Sequence, residues 1–318
     1  MARTSSLTER WRATGRHRVE TLDVPAWTVV DGRSVAVFAQ FPTEVAEPAP
    51  VVVLAHGLGG DHRGYAALGA RLAGHGHVVL HPQFLDSFAL AASRLGMGPG
   101  EEHTWPRDPR HRAAMHEMLF DPTHWMARVA RVHAVLDSLA TQTHLPVALR
   151  PDRVILAGHS YGAYTAQLVL GTRLEGVGID DSLRHPAACA GLLLSPQGSG
   201  DRGLTPRSWD EVATPVLVVT ATADRGPHGE GLSWRREPFD AAPAPLKHLA
   251  VVQGGDHLLG GIDRRADEAP TDPAVSEAVA TLCAAFADLV NGDPAAGRWL
   301  RADPFPEIFH HEFREDVA

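Results

Sequence analysis

The chain has 318 residues, of which 44% are hydrophobic and 21% are charged, as is typical of a globular protein with a well-buried core. Its formal net charge of −9 argues against nucleic acid and anionic membranes as partners, because both require a basic face. The first residues lack the apolar core of a secretory signal, and the longest apolar runs are strand-sized. We therefore expect a cytoplasmic protein with no membrane span, whose two cysteines, Cys189 and Cys283, are buried free thiols.

Predicted strands and helices alternate along most of the chain. Residues 19–42 form two antiparallel strands that turn at Asp31 and Gly32. Short β-branched runs then alternate with amphipathic, alanine-rich stretches, which predicts a mostly parallel sheet with helices on both faces. The predicted strands are 51–57, 77–82, 153–158, 190–196, 214–224 and 246–257, and the predicted helices are 65–76, 123–142, 162–171 and 272–292.

This alternation predicts one α/β domain over residues 19–292, with an N-terminal extension at 1–18 and a polar C-terminal tail at 293–318 that packs on the surface. Residues 84–122 interrupt it, because they are too long for a turn and rich in His, Arg and Pro. Two interpretations stay open for this insertion: it caps or lines a pocket, or it packs on the outer helices as a surface excursion. The segment leaves the carboxyl end of a strand, the side where ligands bind in open α/β sheets.

The motif GHSYG at residues 158–162 contains a candidate nucleophile, Ser160. It matches G-x-S-x-G between a predicted strand and a predicted helix, the setting that exposes such a serine on a sharp turn. Gly158 and Gly162 relieve crowding there, and the dipole of the helix that begins at Tyr161 favours negative charge. The alternative interpretation is a glycine-rich packing turn. A serine hydroxyl is a weak nucleophile, so this assignment requires a base elsewhere in the chain.

A candidate base and a candidate acid follow at the ends of later strands. His257 follows the last clear strand on a glycine-rich loop, a position that separates it from the other histidines among the chain's 19. Asp224 ends the preceding strand and is the candidate acid that orients the imidazole. Asp256 adjoins His257 and is the second choice, and an aspartate after a strand is also a common turn or cap residue. Asp180, Asp181 and Asp201 do not directly follow a strand.

Two backbone N–H groups are candidates for holding the oxyanion that develops on the substrate carbonyl. One belongs to Tyr161, the residue after the candidate nucleophile. The other belongs to Leu58, in the glycine-rich loop AHGLGGDHRGY of residues 55–65. We expect His56 to brace this loop and His159 to be structural.

Four motifs, HGLGG, GHSYG, TATAD and GGDH, occur in this order and resemble those of the α/β-hydrolase superfamily. Within residues 20–290, segments 51–83, 192–200 and 254–261 resemble bacterial proteins described as predicted dienelactone hydrolases. Those proteins are in turn similar to chlorophyllases, platelet-activating-factor acetylhydrolases and polyester-cleaving cutinase-like enzymes. The resemblance implies an α/β-hydrolase fold and a serine esterase without a cofactor. True dienelactone hydrolases use a cysteine nucleophile, whereas this chain has Ser160.

These residues predict a serine hydrolase that cleaves small or medium carboxylic esters through an acyl-enzyme, with a small-molecule ester as its partner. A triad fixes acyl chemistry but not the leaving group, so thioesterase, amidase and peptidase activities stay open. A non-catalytic binding protein of the hydrolase fold is the other alternative, although it would have no need of all three groups. We expect no cofactor and no metal, since the motifs MHEMLF and FHHEF lack the further ligands of a metal site. The oligomeric state is left open.

Overall fold

One mixed sheet runs through the molecule. The computed structural model describes residues 10–12, 15–45, 47–96, 108–179 and 182–315. In chain order the strands are β1 (Val19–Val30), β2 (Arg33–Pro42), β3 (Ala49–Ala55), β4 (Val78–Pro82), β5 (Leu149–His159), β6 (Ala188–Leu194), β7 (Val216–Ala221), β8 (Leu246–Val252) and β9 (Phe309–Glu315). Their order across the sheet is β1-β2-β4-β3-β5-β6-β7-β8-β9. The strands from β4 to β8 are parallel, and antiparallel strands flank them at both edges.

Helices cover both faces of this sheet. They are α1 (Ala66–Gly74), α2 (Phe88–Ala91), α3 (Pro109–Phe120), α4 (Pro122–Ser138), α5 (Tyr161–Leu170), α6 (Leu232–Arg235), α7 (Glu237–Ala241), α8 (Pro273–Val290) and α9 (Pro294–Arg301), with a 3₁₀ turn at Ala92–Leu95. The predicted alternation of strands and helices is therefore present.

Four helices begin with the same two-residue signal, an aspartate followed by a proline. The aspartate carboxylate accepts a hydrogen bond from a backbone N–H in the first turn, which a helix leaves unpaired. Proline fits the next position because the N–H that it lacks has no partner there. The four capping residues are Asp108, Asp121, Asp272 and Asp293.

Alternate residues of each central strand point to opposite faces of the sheet and build two cores. On β3, Val51 and Val53 pack on the face that α4 and α5 cover. Val52 and Leu54 pack on the other face, beneath α1, α8 and α9. Burying each such side chain stabilises the fold by about 1.5–3 kcal/mol. Burial on both faces explains why these strands are continuous apolar runs rather than alternating ones.

The antiparallel start of the sheet has the predicted turn. Val30 pairs with Arg33 across the hairpin, and the two residues between them have φ angles of 49° at Asp31 and 72° at Gly32. Two successive positive φ angles are typical of the tight turns whose twist matches a hairpin, and Asp-Gly suits them because both residues tolerate this conformation.

The chain beyond Gly292 differs from the surface tail that was predicted at 293–318. Residues 294–301 form α9, and β9 pairs with β8 along seven residues, from Phe309 opposite Val252 to Glu315 opposite Leu246. Most of β9 is polar because it is an edge strand, so its apolar pattern is too weak to reveal it. Backbone hydrogen bonds to β8, which do not depend on side-chain type, place it in the sheet.

Both cysteines are free thiols, as predicted, but only Cys283 is fully buried, whereas Cys189 is half-buried. Cys283 lies on α8, the described helix that is long and apolar enough, by length and composition, to cross a membrane. The sequence showed only strand-sized apolar runs, so this helix differs from that expectation. In the structure 56% of it is buried, and Phe286 on its inner face packs beneath the sheet, as a core helix does.

Candidate active site

Three parallel strands end close to one another and carry the three predicted side chains. Ser160 stands between the last residue of β5 and the first residue of α5. Asp224 lies three residues beyond the end of β7, and His257 lies five residues beyond the end of β8. Parallel strands present their carboxyl ends at one edge of the sheet, so residues distant in sequence meet there.

Ser160 has a strained backbone. Its φ of 55° and ψ of −121° lie where a residue with a side chain is rarely found. Such strain persists only where the surroundings impose it. Here Ser160 N–H donates to the carbonyl oxygen of Leu194 over 2.9 Å, which ties the turn to β6.

The two glycines of the motif permit a close approach of backbones around this turn. A Cβ atom at Gly158 would overlap the carbonyl group of Gly162, and a Cβ at Gly162 would overlap the carbonyl group of Ala55 on β3. Any side chain at either position would therefore push α5 away from the sheet and move the serine hydroxyl.

The three side chains form a continuous hydrogen-bonded chain. Ser160 Oγ lies 2.9 Å from His257 Nε2, and His257 Nδ1 lies 2.7 Å from Asp224 Oδ1. With Nδ1 donating to the carboxylate, Nε2 is left as the acceptor for the serine hydroxyl proton. The His257 side chain is 33% exposed, whereas Asp224 is fully buried. The structure thus brings together Ser160, His257 and Asp224 in the arrangement that their assignment requires.

Asp224 remains ionised although it is buried. Burial alone would raise the pKa of this carboxyl, but the hydrogen bond from His257 and the charge of Arg235 lower it to about 2. Arg235 Nη2 lies 2.9 Å from Asp224 Oδ1, and Thr220 donates its hydroxyl to Oδ2 over 2.9 Å. The same Nη2 lies 3.2 Å from His257 Nδ1, which cannot accept from it while donating to the carboxylate.

Arg235 is a component of the site that the sequence did not predict. It is 1% exposed and also donates to the carbonyl oxygens of Ser195, Pro196 and Arg225. These bonds connect the loops that follow β6 and β7 behind the carboxylate. Arg235 lies 11 positions after Asp224, on the short helix α6, and no motif marks it.

His159 holds the loop that carries His257. Its Nε2 lies 2.8 Å from the backbone oxygen of His257, and its Nδ1 lies 2.8 Å from the hydroxyl of Tyr65. Burial lowers the pKa of His159 to about 3, so the ring is neutral and offers one donor and one acceptor. His159 thus contacts the backbone of His257, in the structural role that was expected of it.

The loop after β3 is braced from beneath by a buried ion pair. Arg128 of α4 donates to both carboxylate oxygens of Asp86, over 2.9 and 2.6 Å, and both side chains are 1% exposed. Its remaining donors contact the carbonyl oxygens of His56, at 2.9 Å, and Gly57, at 3.3 Å. His56 braces the same loop, as expected, because Phe84 N–H donates to its Nε2 over 3.3 Å.

A cavity of about 530 Å³ lies over Ser160 and is large enough for a small or medium ester. It is lined by Ser160 and His257, by Leu58 of the braced loop, by Leu119 of α3, and by Gln197 and Arg202 of the loop after β6. Of the insertion predicted at 84–122, α3 therefore contributes to the wall, with His116 beside Leu119. Residues 97–107 of that insertion lie outside the described chain.

The other aspartates considered as the acid lie elsewhere or outside the described residues. Asp256 is exposed and accepts the backbone N–H of Leu258 over 3.0 Å, a local turn that needs no histidine. Asp201 is also exposed and lies 3.4 Å from His228. Asp180 and Asp181 are not among the described residues. Within the described residues, no group of three His, Cys, Asp or Glu side chains is placed to hold a metal ion.

The sheet order, the helices on both faces and the strand–turn–helix around Ser160 define an α/β-hydrolase fold, as the sequence predicted. A family model described as platelet-activating factor acetylhydrolase, isoform II, matches residues 28–114. This match confirms the predicted resemblance to such acetylhydrolases and supports an esterase- or lipase-like hydrolase. The matched residues include the loop with Leu58 but end before Ser160, Asp224 and His257. No curated protein gives a significant match to the chain.

Proposed function

We propose that the protein is a serine esterase in which Ser160, His257 and Asp224 act as a catalytic triad on a carboxylic ester. The observation that carries the proposal is the pair of short contacts from Ser160 Oγ to His257 Nε2, at 2.9 Å, and from His257 Nδ1 to Asp224, at 2.7 Å. A folding requirement alone does not call for this chain of three groups beside a cavity, with its serine on a strained backbone.

In the proposed reaction Ser160 Oγ attacks the ester carbonyl carbon while His257 Nε2 takes the hydroxyl proton. The bond to the alcohol oxygen then breaks, and His257 returns the proton to that oxygen as the alcohol leaves. Water attacks the acyl-enzyme with the same base assistance, and the carboxylic acid is released. Asp224 holds the imidazole in the tautomer that these steps need, and stabilises the imidazolium in each.

The N–H groups of Leu58 and Tyr161 are the proposed donors to the oxyanion. Tyr161 is the first residue of α5, and the first N–H groups of a helix have no partner within it. Leu58 lines the same cavity and belongs to the loop that Arg128 braces. Donors fixed before the reaction stabilise the developing charge without having to reorganise, which is the main source of their effect.

The proposal is tested with the purified chain and a series of 4-nitrophenyl esters. We expect turnover of short and medium acyl esters, together with labelling by a fluorophosphonate at Ser160, read by peptide mass. Labelling without turnover of oxygen esters, but with turnover of a thioester or an anilide, would identify the thioesterase or amidase alternative. Absence of both labelling and turnover would contradict the triad and favour a non-catalytic binding protein.

A further inference from the structure

Arg202 places a buried positive charge in the wall of the cavity above Ser160. It follows β6 in the loop that also carries Gln197, and the whole residue is only 5% exposed. Its Nη1 is buried without a hydrogen-bond partner, and no Asp or Glu of the described chain forms an ion pair with it. Glu230 is the acid whose charge affects the pKa of Arg202, and its effect is the weakest of those that shift this pKa. Buried arginines are normally paired, so this one is unusual.

Aromatic rings surround the guanidinium in place of an acid. Its central carbon lies 5.7 Å from the ring centres of Phe120 and Tyr164 and 5.6 Å from that of Trp234. Ring faces attract a cation, but they do not replace a strong acceptor for its N–H groups. Burial lowers the pKa of Arg202 to about 10, which leaves it charged at neutral pH.

The backbone of Arg202 is fixed relative to the helix that follows the nucleophile. The hydroxyl of Tyr164 on α5 donates to the carbonyl oxygen of Arg202 over 2.7 Å. Arg202 and Ser160 line the same cavity. One ligand can therefore lie with its ester at Ser160 and another group at Arg202.

Gln197 adds a second unused polar group to the same wall. It is 2% exposed, its Oε1 has no partner within the described residues, and it too lines the cavity. The oxygen and nitrogen of an amide exchange places on a half-turn, so the group can present N–H donors instead. Asp263 is the acidic residue among the cavity residues described; it is exposed and forms no ion pair with Arg202 within the described chain.

We propose that Arg202 and Gln197 form a subsite for an anionic oxygen group, so that the substrate is an ester that also carries a carboxylate or a phosphate. The inference rests on the proposed function, since it extends the site at Ser160. The bound oxyanion would give the guanidinium the acceptor that it lacks, through charge-assisted hydrogen bonds in a nearly dry environment. A neutral ester of the same length leaves this charge unpaired and gains none of that energy.

The first experiment measures binding without turnover. In Ser160→Ala, calorimetry with glutarate and with inorganic phosphate tests the two sources of the anion separately. We expect one of them to bind, and binding to weaken about 10- to 100-fold in Ser160→Ala/Arg202→Gln, the usual loss when a charged hydrogen bond is removed. If neither anion binds, or if both bind equally well without Arg202, the subsite does not exist.

The second experiment measures selectivity. The readout is the ratio of kcat/KM for the 4-nitrophenyl monoester of glutaric acid to that for 4-nitrophenyl pentanoate, which matches its acyl chain and lacks the second charge. We expect this ratio to fall about 10- to 100-fold in Arg202→Gln and by less in Arg202→Lys. Arg207→Gln is the control, because Arg207 lies on the same loop with its side chain 83% exposed. Gln197→Leu should lower the ratio as well, and serves if Arg202→Gln does not fold.

The ratio separates this inference from the proposed function. Suppose that the wild-type protein hydrolyses neutral esters without preferring the anionic one, and that the ratio does not change in Arg202→Gln. The proposed esterase function then stands, and the proposed subsite is wrong. If the protein binds glutarate or phosphate through Arg202 but hydrolyses no ester, the proposed subsite stands and the proposed esterase function is wrong. If kcat/KM for both esters falls equally in Arg202→Gln, so that their ratio is unchanged, Arg202 contributes to folding alone.

Discussion

Arg128 Nη2 donates a hydrogen bond to the carbonyl oxygen of Gly57 over 3.3 Å, and together with His56 Nδ1, at 2.8 Å, and the N–H of Gly60, at 3.2 Å, it orients the amide of the next residue, Leu58. In a trans peptide the N–H points opposite to the C=O of the same plane. With the oxygen held toward Arg128 in the core, the N–H of Leu58 points away from Arg128, and Leu58 itself lines the cavity. The adjacent carbonyl, that of His56, is fixed in the same way over 2.9 Å.

Replacing Arg128 with lysine should therefore lower kcat with little change in KM. Lysine keeps a positive charge for Asp86, but it cannot hold two carbonyl oxygens and a bidentate carboxylate at once. Losing a fixed oxyanion donor costs about 10²- to 10³-fold in turnover, and a loosened one should cost less, on the order of 10- to 100-fold. Steady-state kinetics on one 4-nitrophenyl ester measures the effect.

Arg131→Lys is the matched control for this variant. Arg131 lies one turn further along α4, is 3% exposed, and donates to the carbonyl oxygens of Ser34 and Gln83 instead of the loop. The Arg131→Lys variant should lose about as much stability as Arg128→Lys but keep the wild-type kcat. Equal kinetic losses in the two variants would mean that Arg128 acts only on the fold.

Ser160→Ala should abolish turnover while leaving the protein folded. A triad nucleophile typically accounts for on the order of a millionfold in kcat. The backbone at this position is strained, and alanine has the same backbone preferences as serine, so thermal stability should change little. Fluorophosphonate labelling is used first to exclude contaminating esterases. Activity above a small fraction of the wild-type value would then mean that another residue is the nucleophile.

Asp224→Asn should lower both turnover and stability. Asparagine favours the wrong imidazole tautomer, which costs about ten-thousandfold in kcat in a serine triad. It also leaves the buried Arg235 without its carboxylate, and breaking a buried ion pair on one side costs about 3–5 kcal/mol. Kinetics and urea unfolding separate the two effects. Asp256→Asn is the control next to His257, and wild-type kinetics in Asp224→Asn would transfer the role of the acid to Asp256.

The central strands were accessible from the sequence because burial on two faces leaves unbroken apolar runs. Ser160 was accessible because G-x-S-x-G stands at a strand end, where the fold needs both glycines. The roles of Arg128 and Arg235 were not accessible, because no local sequence motif marks either residue. Arg128 pairs with Asp86, 42 residues away in the chain, and this contact depends on how the helices pack on the sheet.

The edge strand β9 was missed for a different reason. Its pairing depends on backbone groups, and its residues Phe309–Glu315 are mostly polar, so hydrophobic periodicity carries little information about it. The helix α3 was missed although Asp108-Pro109 is a start signal, because the polar helix that follows has only two buried residues, Met115 and Leu119. Start signals are informative only when an amphipathic pattern follows them.

Lowering the pH should reduce the free energy of unfolding as the carboxylate of Asp224 becomes protonated. Its pKa falls from 3.8 to about 2 in the folded protein, so folding is favoured wherever the carboxylate is ionised. This contribution, about 2 kcal/mol for a fully buried group, is present above about pH 4 and is lost as pH falls toward 2. Urea unfolding from pH 6 to 2.5 should therefore show the gap between wild type and Asp224→Asn narrowing below pH 4. A constant gap would mean that Asp224 has no depressed pKa.

Leu119 provides a test of whether α3 shapes the preference for acyl chains. It is 5% exposed and lines the cavity, whereas Met115, one turn earlier on the same helix, is fully buried and is not among the residues that line it. Leu119→Ala enlarges the cavity beside Ser160 and should raise kcat/KM for long acyl esters relative to short ones. One methylene of acyl chain is worth about 1–3 kcal/mol in a fitted pocket, so the ratio should shift about tenfold or more.

Met115→Ala is the matched control, because both substitutions remove a large buried side chain from α3 and each should cost about 2–5 kcal/mol of stability. The two variants should thus have similar melting temperatures and different selectivity. The measurement is kcat/KM for 4-nitrophenyl acetate and octanoate in each, with thermal unfolding alongside. If both variants are destabilised alike and the ratio for the two esters stays at the wild-type value in both, then α3 is a surface excursion and another part of the cavity wall selects the acyl chain.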